Sequence, residues 1–178
     1  MTHPELVAEL ERRAGQDQQV RRVADKTQQD IDRWMAVDAD NQRWMWGVLR
    51  EHGWPGHALV GEEGAAHAAL IVQHADRDRA LQLFGLGLLI EAVDADDADP
   101  SHAAYLIDRI HMHRGVPTRY GTQYARNRQG ELELLAVEDP EALDARRAGM
   151  GLPPLDEFER QLRELHPALG DVKEELQL

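Results

Sequence analysis

His74 in "QHADRD", the Asp108 and Arg109 pair in "YLIDRI", and Tyr120 and Gln123 in "RYGTQ" are the residues of this chain best equipped to move protons and hold charge. His74 falls on a helical face with Leu70 and Ile71 and so turns inward, where a neutral imidazole needs a partner for its ring N–H. General acid or base chemistry needs a pKa near neutrality and an orienting carboxylate, and Asp108 is the expected partner. The plainer reading of a single inward histidine is a core residue satisfied by a carbonyl.

On a helix Tyr105, Asp108, Arg109 and Met112 share a face. Neighbours in sequence, Asp108 and Arg109 cannot bond each other well, so each needs a partner elsewhere, and a ligand carboxylate suits Arg109. A surface ion pair, worth about 0 to 1 kcal/mol, is the alternative. Arg146 and Arg147 in "DARRAGMG" could complete an anion clamp, although the helix C-terminus they occupy favours cations by itself. The expected site therefore has His74 and Asp108 as catalytic residues, with Gln73, Arg109, Tyr120, Gln123, Arg146 and Arg147 binding the ligand.

Nine histidines raise the question of a metal. His111 and His113 diverge on a helix, and His67 and His74 stand two turns apart, roughly 10 Å at 1.5 Å per residue. With no HExxH and no cysteine, no metal site has a local signature and none is expected, which leaves open one assembled from different helices; no cofactor is expected either, because GxGxxG, GxxxxGK[ST] and GxSxG are all missing.

The elements that must position these residues read as helices. Residues 4–24, 28–36 and 41–52 carry helical apolar spacing, with Asp38 or Asp40 able to cap the third, before the Gly-Pro loop "GWPGHALVG". Glu62 and Glu63 suit the start of a helix through "GAAHAALIVQHA". "DRDRALQLFGLGLLIEAV" puts Leu81, Phe84, Gly85, Leu88 and Ala92 on one face and reads as the most buried helix, its glycines allowing a close neighbour. Beyond the acidic connector "DADDADPS", Ser101 can cap "HAAYLIDRIHMHRG". Tyr120 to Arg126 and Glu131 to Val137 then form a hairpin, with "RYGTQ" in its first strand. There Tyr120 and Gln123 point to opposite faces unless Gly121 makes a bulge. Two helices, from "DPEALDARRAGMG" and "PPLDEFERQLRELH", follow. The fold class is mainly α: a single multi-helix domain over residues 1–168 with one small β-hairpin near 119–137, then a charged tail at 169–178.

At 178 residues and 42% hydrophobic composition the chain can bury a core of one domain. Its formal net charge of -13 argues against nucleic acid and anionic membrane as partners. No stretch approaches the roughly 18 apolar residues of a membrane span, and a cytoplasmic protein is expected.

Read together, "DQQVR" at 17–21, "DADN" at 38–41, "GWPG" at 53–56, "QHAD" at 73–76, "YLIDR" at 105–109, "YGTQ" at 120–123 and "ARRAGMGLPPL" at 145–155 resemble an uncharacterised bacterial family, a domain of unknown function frequent in actinobacteria. The resemblance implies no activity. It implies recurrent polar positions at Asp17, Gln18, Arg21, Asn41, Gln73, His74, Asp108, Arg109, Tyr120, Thr122, Gln123, Arg146 and Arg147. Thr118 stands where that family tends to carry glutamine.

Two classes of function remain. One is a small helical enzyme acting on a small polar or anionic molecule by acid/base chemistry. The other is a non-catalytic ligand- or protein-binding module, such as an accessory protein of a biosynthetic cluster, whose polar residues form a buried network.

Overall fold

Pro4 can open a helix because the N–H it lacks has no partner in a first turn, and α1 (Pro4–Arg21) starts there. In the computed structural model, which describes residues 3–23, 26–128 and 132–165, six further helices and one two-stranded sheet follow. The chain is mainly helical with one small hairpin, as its periodicity predicts. The charged tail expected at 169–178 lies outside the described residues.

Thr27 and Asp30 form a reciprocal capping box that starts α2 (Gln28–His52). This helix runs unbroken where two were expected. Neither Asp38 nor Asp40 acts as a cap; their carboxylates reach back to α1, to Arg21 and Arg13. Gly53, at φ 73, ends the helix.

The next span, α3 (His57–Gln73), is interrupted at Gly61, whose φ 75 and ψ 172 are not helical, so that a short helical stretch from His57 precedes the long helix that starts, as expected, at Glu62. It packs against α1, α2, α4 and α5 and is the most buried helix, with eight buried residues that include Ala65, Ala68 and Ala69. That place was expected for α4 (Arg79–Asp94), which buries only Leu81, Gln82, Gly85 and Leu89. Phe84, placed on its inner face by the sequence, is 41% exposed and stacks on Trp46. The close approach expected at the glycines occurs at Gly85 alone, where an added Cβ would meet Val72 Cγ1 at 2.8 Å; at Gly87 it would meet nothing within 4 Å.

Asp99, not Ser101, caps α5 (Pro100–Arg114), its carboxylate accepting from the Ser101 amide at 2.8 Å. The hairpin is shorter than expected. Strand β1 (Tyr124–Arg126) pairs antiparallel with β2 (Leu132–Leu134), in the register Tyr124 to Leu134, and residues 120–123 are not strand. A 3-10 turn at Pro140–Ala142 leads into α6 (Leu143–Ala148), and α7 (Leu155–Leu165) is the last described helix.

One relationship among these helices matters for the site. The His3 amide donates to the Leu59 carbonyl at 2.9 Å at one end of α1, and Asp17 bonds His74 at the other, so α1 and α3 run side by side in the same direction. Among the described residues no helix is long and apolar enough to cross a membrane.

Candidate functional site

His74 sits at the C-terminal cap of α3, its amide donating to the Leu70 carbonyl at 3.0 Å, and its ring is directed toward α1. Nδ1 lies 2.6 Å from Oδ2 of Asp17, with the two residues 2% and 1% exposed. Asp108, the expected partner, is occupied elsewhere. Burial would raise the Asp17 carboxyl, but the His74 hydrogen bond and the His74 and Arg21 charges outweigh it and hold Asp17 below the usual carboxylate range. Burial depresses His74 despite the Asp17 bond, with Arg21 and Arg109 adding to the depression. An ionised carboxylate only accepts hydrogen bonds, so Nδ1 of a neutral His74 carries the proton and Nε2 bears the lone pair. Nε2 is buried and has no hydrogen-bond partner among the described residues.

Behind Asp17 stands Arg21, one turn along α1. Its Nε donates to both Asp17 oxygens at 3.0 Å, and its Nη2 to Oδ1 of Asp38 on α2 at 2.8 Å. The Trp34 ring covers this guanidinium at 5.2 Å, while Nη1 is buried without a hydrogen-bond partner among the described residues. Burial, together with the Asp17 and Asp76 charges, pushes Asp38 up to about 6 against the pull of Arg21 and Arg77.

A second cluster begins two residues past His74. Asp76 takes a two-pronged hydrogen bond from Arg109, Nε to Oδ1 at 2.9 Å and Nη2 to Oδ2 at 2.6 Å, and bonds Nε2 of His113 at 2.7 Å. Burial works against its ionisation, but Arg109 and His113 prevail and bring it down to about 2. Arg109 thus meets a carboxylate of its own chain where a ligand's was expected. Its Nη1 also donates to Oε1 of Gln123 at 3.2 Å. Gln73 is buried, and its main-chain carbonyl accepts from the Gln82 side-chain amide at 2.8 Å.

Asp108 organises the loop after α5. Its carboxylate accepts from the amides of Arg119 at 2.7 Å, Tyr120 at 3.0 Å and Thr122 at 2.9 Å, and from the Thr122 hydroxyl at 2.9 Å. Aiming the amides on both sides of Gly121 at one carboxylate needs a sharp reversal, and Gly121 supplies it at φ 62. A regular strand could not do so, which is why "RYGTQ" leaves the sheet. Tyr120 contributes its backbone to this nest and its ring to a small core with Ala104 and Leu152, so of the pair only Gln123 reaches the polar cluster by its side chain.

The remaining arginines bind main chain. Arg147, wholly buried, donates to the carbonyls of Pro153 and Tyr120, both at 2.7 Å. Arg146 donates to the carbonyls of Arg119, Glu138 and Asp139. Both secure the loop, and their geometry does not form the expected anion clamp. Thr118 is also structural, its hydroxyl donating to the Ala136 carbonyl at 3.2 Å.

His111 and His113 do diverge, toward the Pro117 carbonyl and Asp76. Among the described residues no group of three or more histidines and carboxylates is placed to hold a metal ion.

The profile of a family of unknown function, DUF6624, matches residues 3–170, nearly the whole chain. The chain belongs to that family. In this DUF6624 member the matched span takes in both polar clusters and every residue of the candidate site. Neither the curated proteins nor the solved structures contain a significant match to it.

Sequence reasoning put His74 inside and missed its partner. Asp17 and Arg21 carried a signal, an acid and a base one helical turn apart in "DQQVR" beside the apolar Val20. Asp76 carried none beyond its place in "QHAD".

Proposed function

We propose that this protein is a small helical enzyme that acts on a small polar molecule by acid/base chemistry, with Nε2 of His74 as the base. Asp17 is the positioning residue that fixes the ring and its tautomer and would stabilise the imidazolium formed when Nε2 takes a proton. Arg21, held by Asp17 and Asp38, offers Nη1 as a donor to the substrate. The observation that carries this reading is a buried imidazole with one nitrogen fixed by an ionised carboxylate and the other without a hydrogen-bond partner among the described residues. An orphaned buried polar atom costs about 1 to 3 kcal/mol, a cost that proteins tend to retain where the group has work to do.

The non-catalytic reading draws on a different observation, the closed set of hydrogen bonds that Asp108 makes to the loop. That half of the polar network fits a purely structural purpose, and Asp108, Arg146 and Arg147 belong to it. The net charge of -13 and the lack of cysteine favour a small-molecule partner over nucleic acid, and a bacterial cytoplasmic setting.

Deuterium wash-in is a direct test. Wild type and His74→Gln are incubated in D2O with pooled small polar metabolites, and the mixture is followed by mass spectrometry. Wild type should introduce deuterium into, or convert, at least one compound, and H74Q should slow this at least about 100-fold, the scale of a lost general base. No change with wild type, or equal rates for both, would contradict the proposal.

A further inference from the structure

Arg79, Leu83, Phe84, Gly87, Ile90 and Asp94 share one side of α4 by the three-or-four-residue spacing of a helix, and all are exposed. Of the five large apolar side chains that stand exposed among the described residues, this face carries three, Leu83 at 46%, Phe84 at 41% and Ile90 at 43%. The apolar strip extends sideways onto α2, where Trp46 stacks on Phe84 with ring centroids 5.3 Å apart. Gly87 lies at its middle, and an added Cβ there would meet nothing within 4 Å.

The charges at the two ends of this face oppose the helix dipole. A helix favours acids in its first turn and bases in its last, by about 0.3 to 1 kcal/mol each. Helices α1, α2 and α6 follow that rule, with Glu5, Asp30 and Asp144 in their first turns and Arg21, Arg50 and Arg146 in their last. Helix α4 reverses it, opening on Arg79 and ending with Glu91 and Asp94 in its last turn. The Asp78 cap eases the conflict at the first turn only. Arg79 donates to the His113 carbonyl at 2.8 Å, and neither it nor Glu91 or Asp94 has an ion-pair partner among the described residues.

We propose that α4 is the interface of a homodimer, laid antiparallel on α4 of a second copy about a two-fold axis at Gly87. The order of groups along the face, base then apolar then acid, complements itself when reversed, and a two-fold axis performs that reversal. Arg79 lies roughly 12 Å from the axis and Asp94 roughly 10 Å to the other side, at about 1.5 Å per residue, so the two come level between copies. Glu91 stands one turn nearer the axis. Leu83 of each copy comes level with Ile90 of the other, and the missing side chain of Gly87 lets the helices approach closely enough for them to touch. The dipole conflict within one chain is thus answered by the opposite charge of the next.

The net charge of -13 on each copy opposes association at long range, but within a Debye length of about 8 Å the local ion pairs and the apolar contact decide. One helix face is smaller than the roughly 800 Å² per partner of a stable interface, so the dimer is weak, with Kd between about 1 and 100 µM, and the dilute chain is monomeric.

Sedimentation velocity of the full chain from about 1 µM to about 1 mM reads the association. Wild type should pass from monomer to dimer and stop there, with concentration-dependent amide shifts on α4. Leu83→Gln should raise Kd at least about fivefold, because each substitution counts twice across the axis. Arg79→Glu should raise it at least about tenfold by setting acid against acid. R79E combined with Glu91→Arg and Asp94→Arg should bring Kd back to within about threefold of wild type, since every pair is then restored with its sign exchanged. A folding defect does not imitate this pattern: the exchanged charges agree with the helix dipole, and the triple variant shares the loss of the His113 bond with R79E. A chain that stays monomeric throughout would leave the face to a different protein and overturn the proposal. Growth past the dimer, a Kd unmoved by L83Q or by R79E, or no recovery in the triple variant would overturn it equally.

Discussion

Nδ1 of His74 and Oδ2 of Asp17 are 2.6 Å apart, on parallel helices and sealed from solvent. The pair is held from behind by Arg21 and, through it, Asp38, so that α1, α2 and α3 all converge on one imidazole. Asp108 makes the contrasting arrangement, in which every bond goes to a loop and none to a histidine. The two carboxylates therefore respond differently to the same kind of substitution.

Asp108→Asn is expected to destabilise the fold by about 2 to 4 kcal/mol, because backbone N–H groups that now meet a wholly buried carboxylate oxygen would face an amide NH2. Urea unfolding measures this. In the fraction that folds, the His74 titration should be unmoved. A His74 pKa that shifts with the Asp108 substitution as strongly as with one at Asp17 would show that Asp108 acts on the imidazole after all.

Asp38 gives a dependence on pH whose sign can be worked out. Its folded value of about 6 lies above the roughly 4 of an unfolded aspartate, so between these values the folded state binds the extra proton. Its contribution to stability is present at the acid end and is lost as pH rises from about 4 through 6, at most about 3 kcal/mol. Asp38→Asn removes the titration. Urea unfolding of both proteins at pH 4 and pH 7.5 should show the difference, wild type minus D38N, becoming less favourable to wild type at the higher pH. A difference that is flat, or that grows with pH, would contradict the raised value.

Two glycines of α4 should behave oppositely. Gly85→Ala places a Cβ 2.8 Å from Val72 Cγ1 and should lower stability by about 1 to 3 kcal/mol, the usual range for overpacking. Gly87→Ala meets open space and should be neutral or stabilising by up to about 1 kcal/mol through helix propensity. Thermal unfolding of the two single variants checks this, and equal effects would show that the Gly85 contact is not tight.

Periodicity made the helices legible, because a buried face repeats wherever a helix packs. Where one helix was read as two, Asp38 and Asp40 imitated a cap; with no glycine or proline between Met35 and Asn41, nothing there stops the backbone, and the carboxylates serve ion pairs to α1 instead. The strand expected at "RYGTQ" failed for a related reason. Alternation is a local signal, and the Asp108 carboxylate, twelve positions before Tyr120, overrides it by gathering amides into a nest that only Gly121 permits. The inward direction of His74 follows from its own helix. Its partner depends on the parallel packing of α1 on α3 across 57 positions, which no local pattern encodes.

The measurement that bears most directly on the Asp17 and His74 pair is a pH titration of 15N-histidine-labelled protein by long-range 1H–15N correlation, on wild type and Asp17→Asn. Near pH 7 the wild-type His74 ring should be neutral, protonated at Nδ1 and bare at Nε2, and should gain its second proton only below the ordinary histidine range. D17N, which removes the charge that helps raise the ring's pKa and replaces one acceptor oxygen by an NH2 donor, should lower it further or release the tautomer. A wild-type ring found charged at pH 7, or carrying its proton on Nε2, would contradict the assignment of Nε2 as the base.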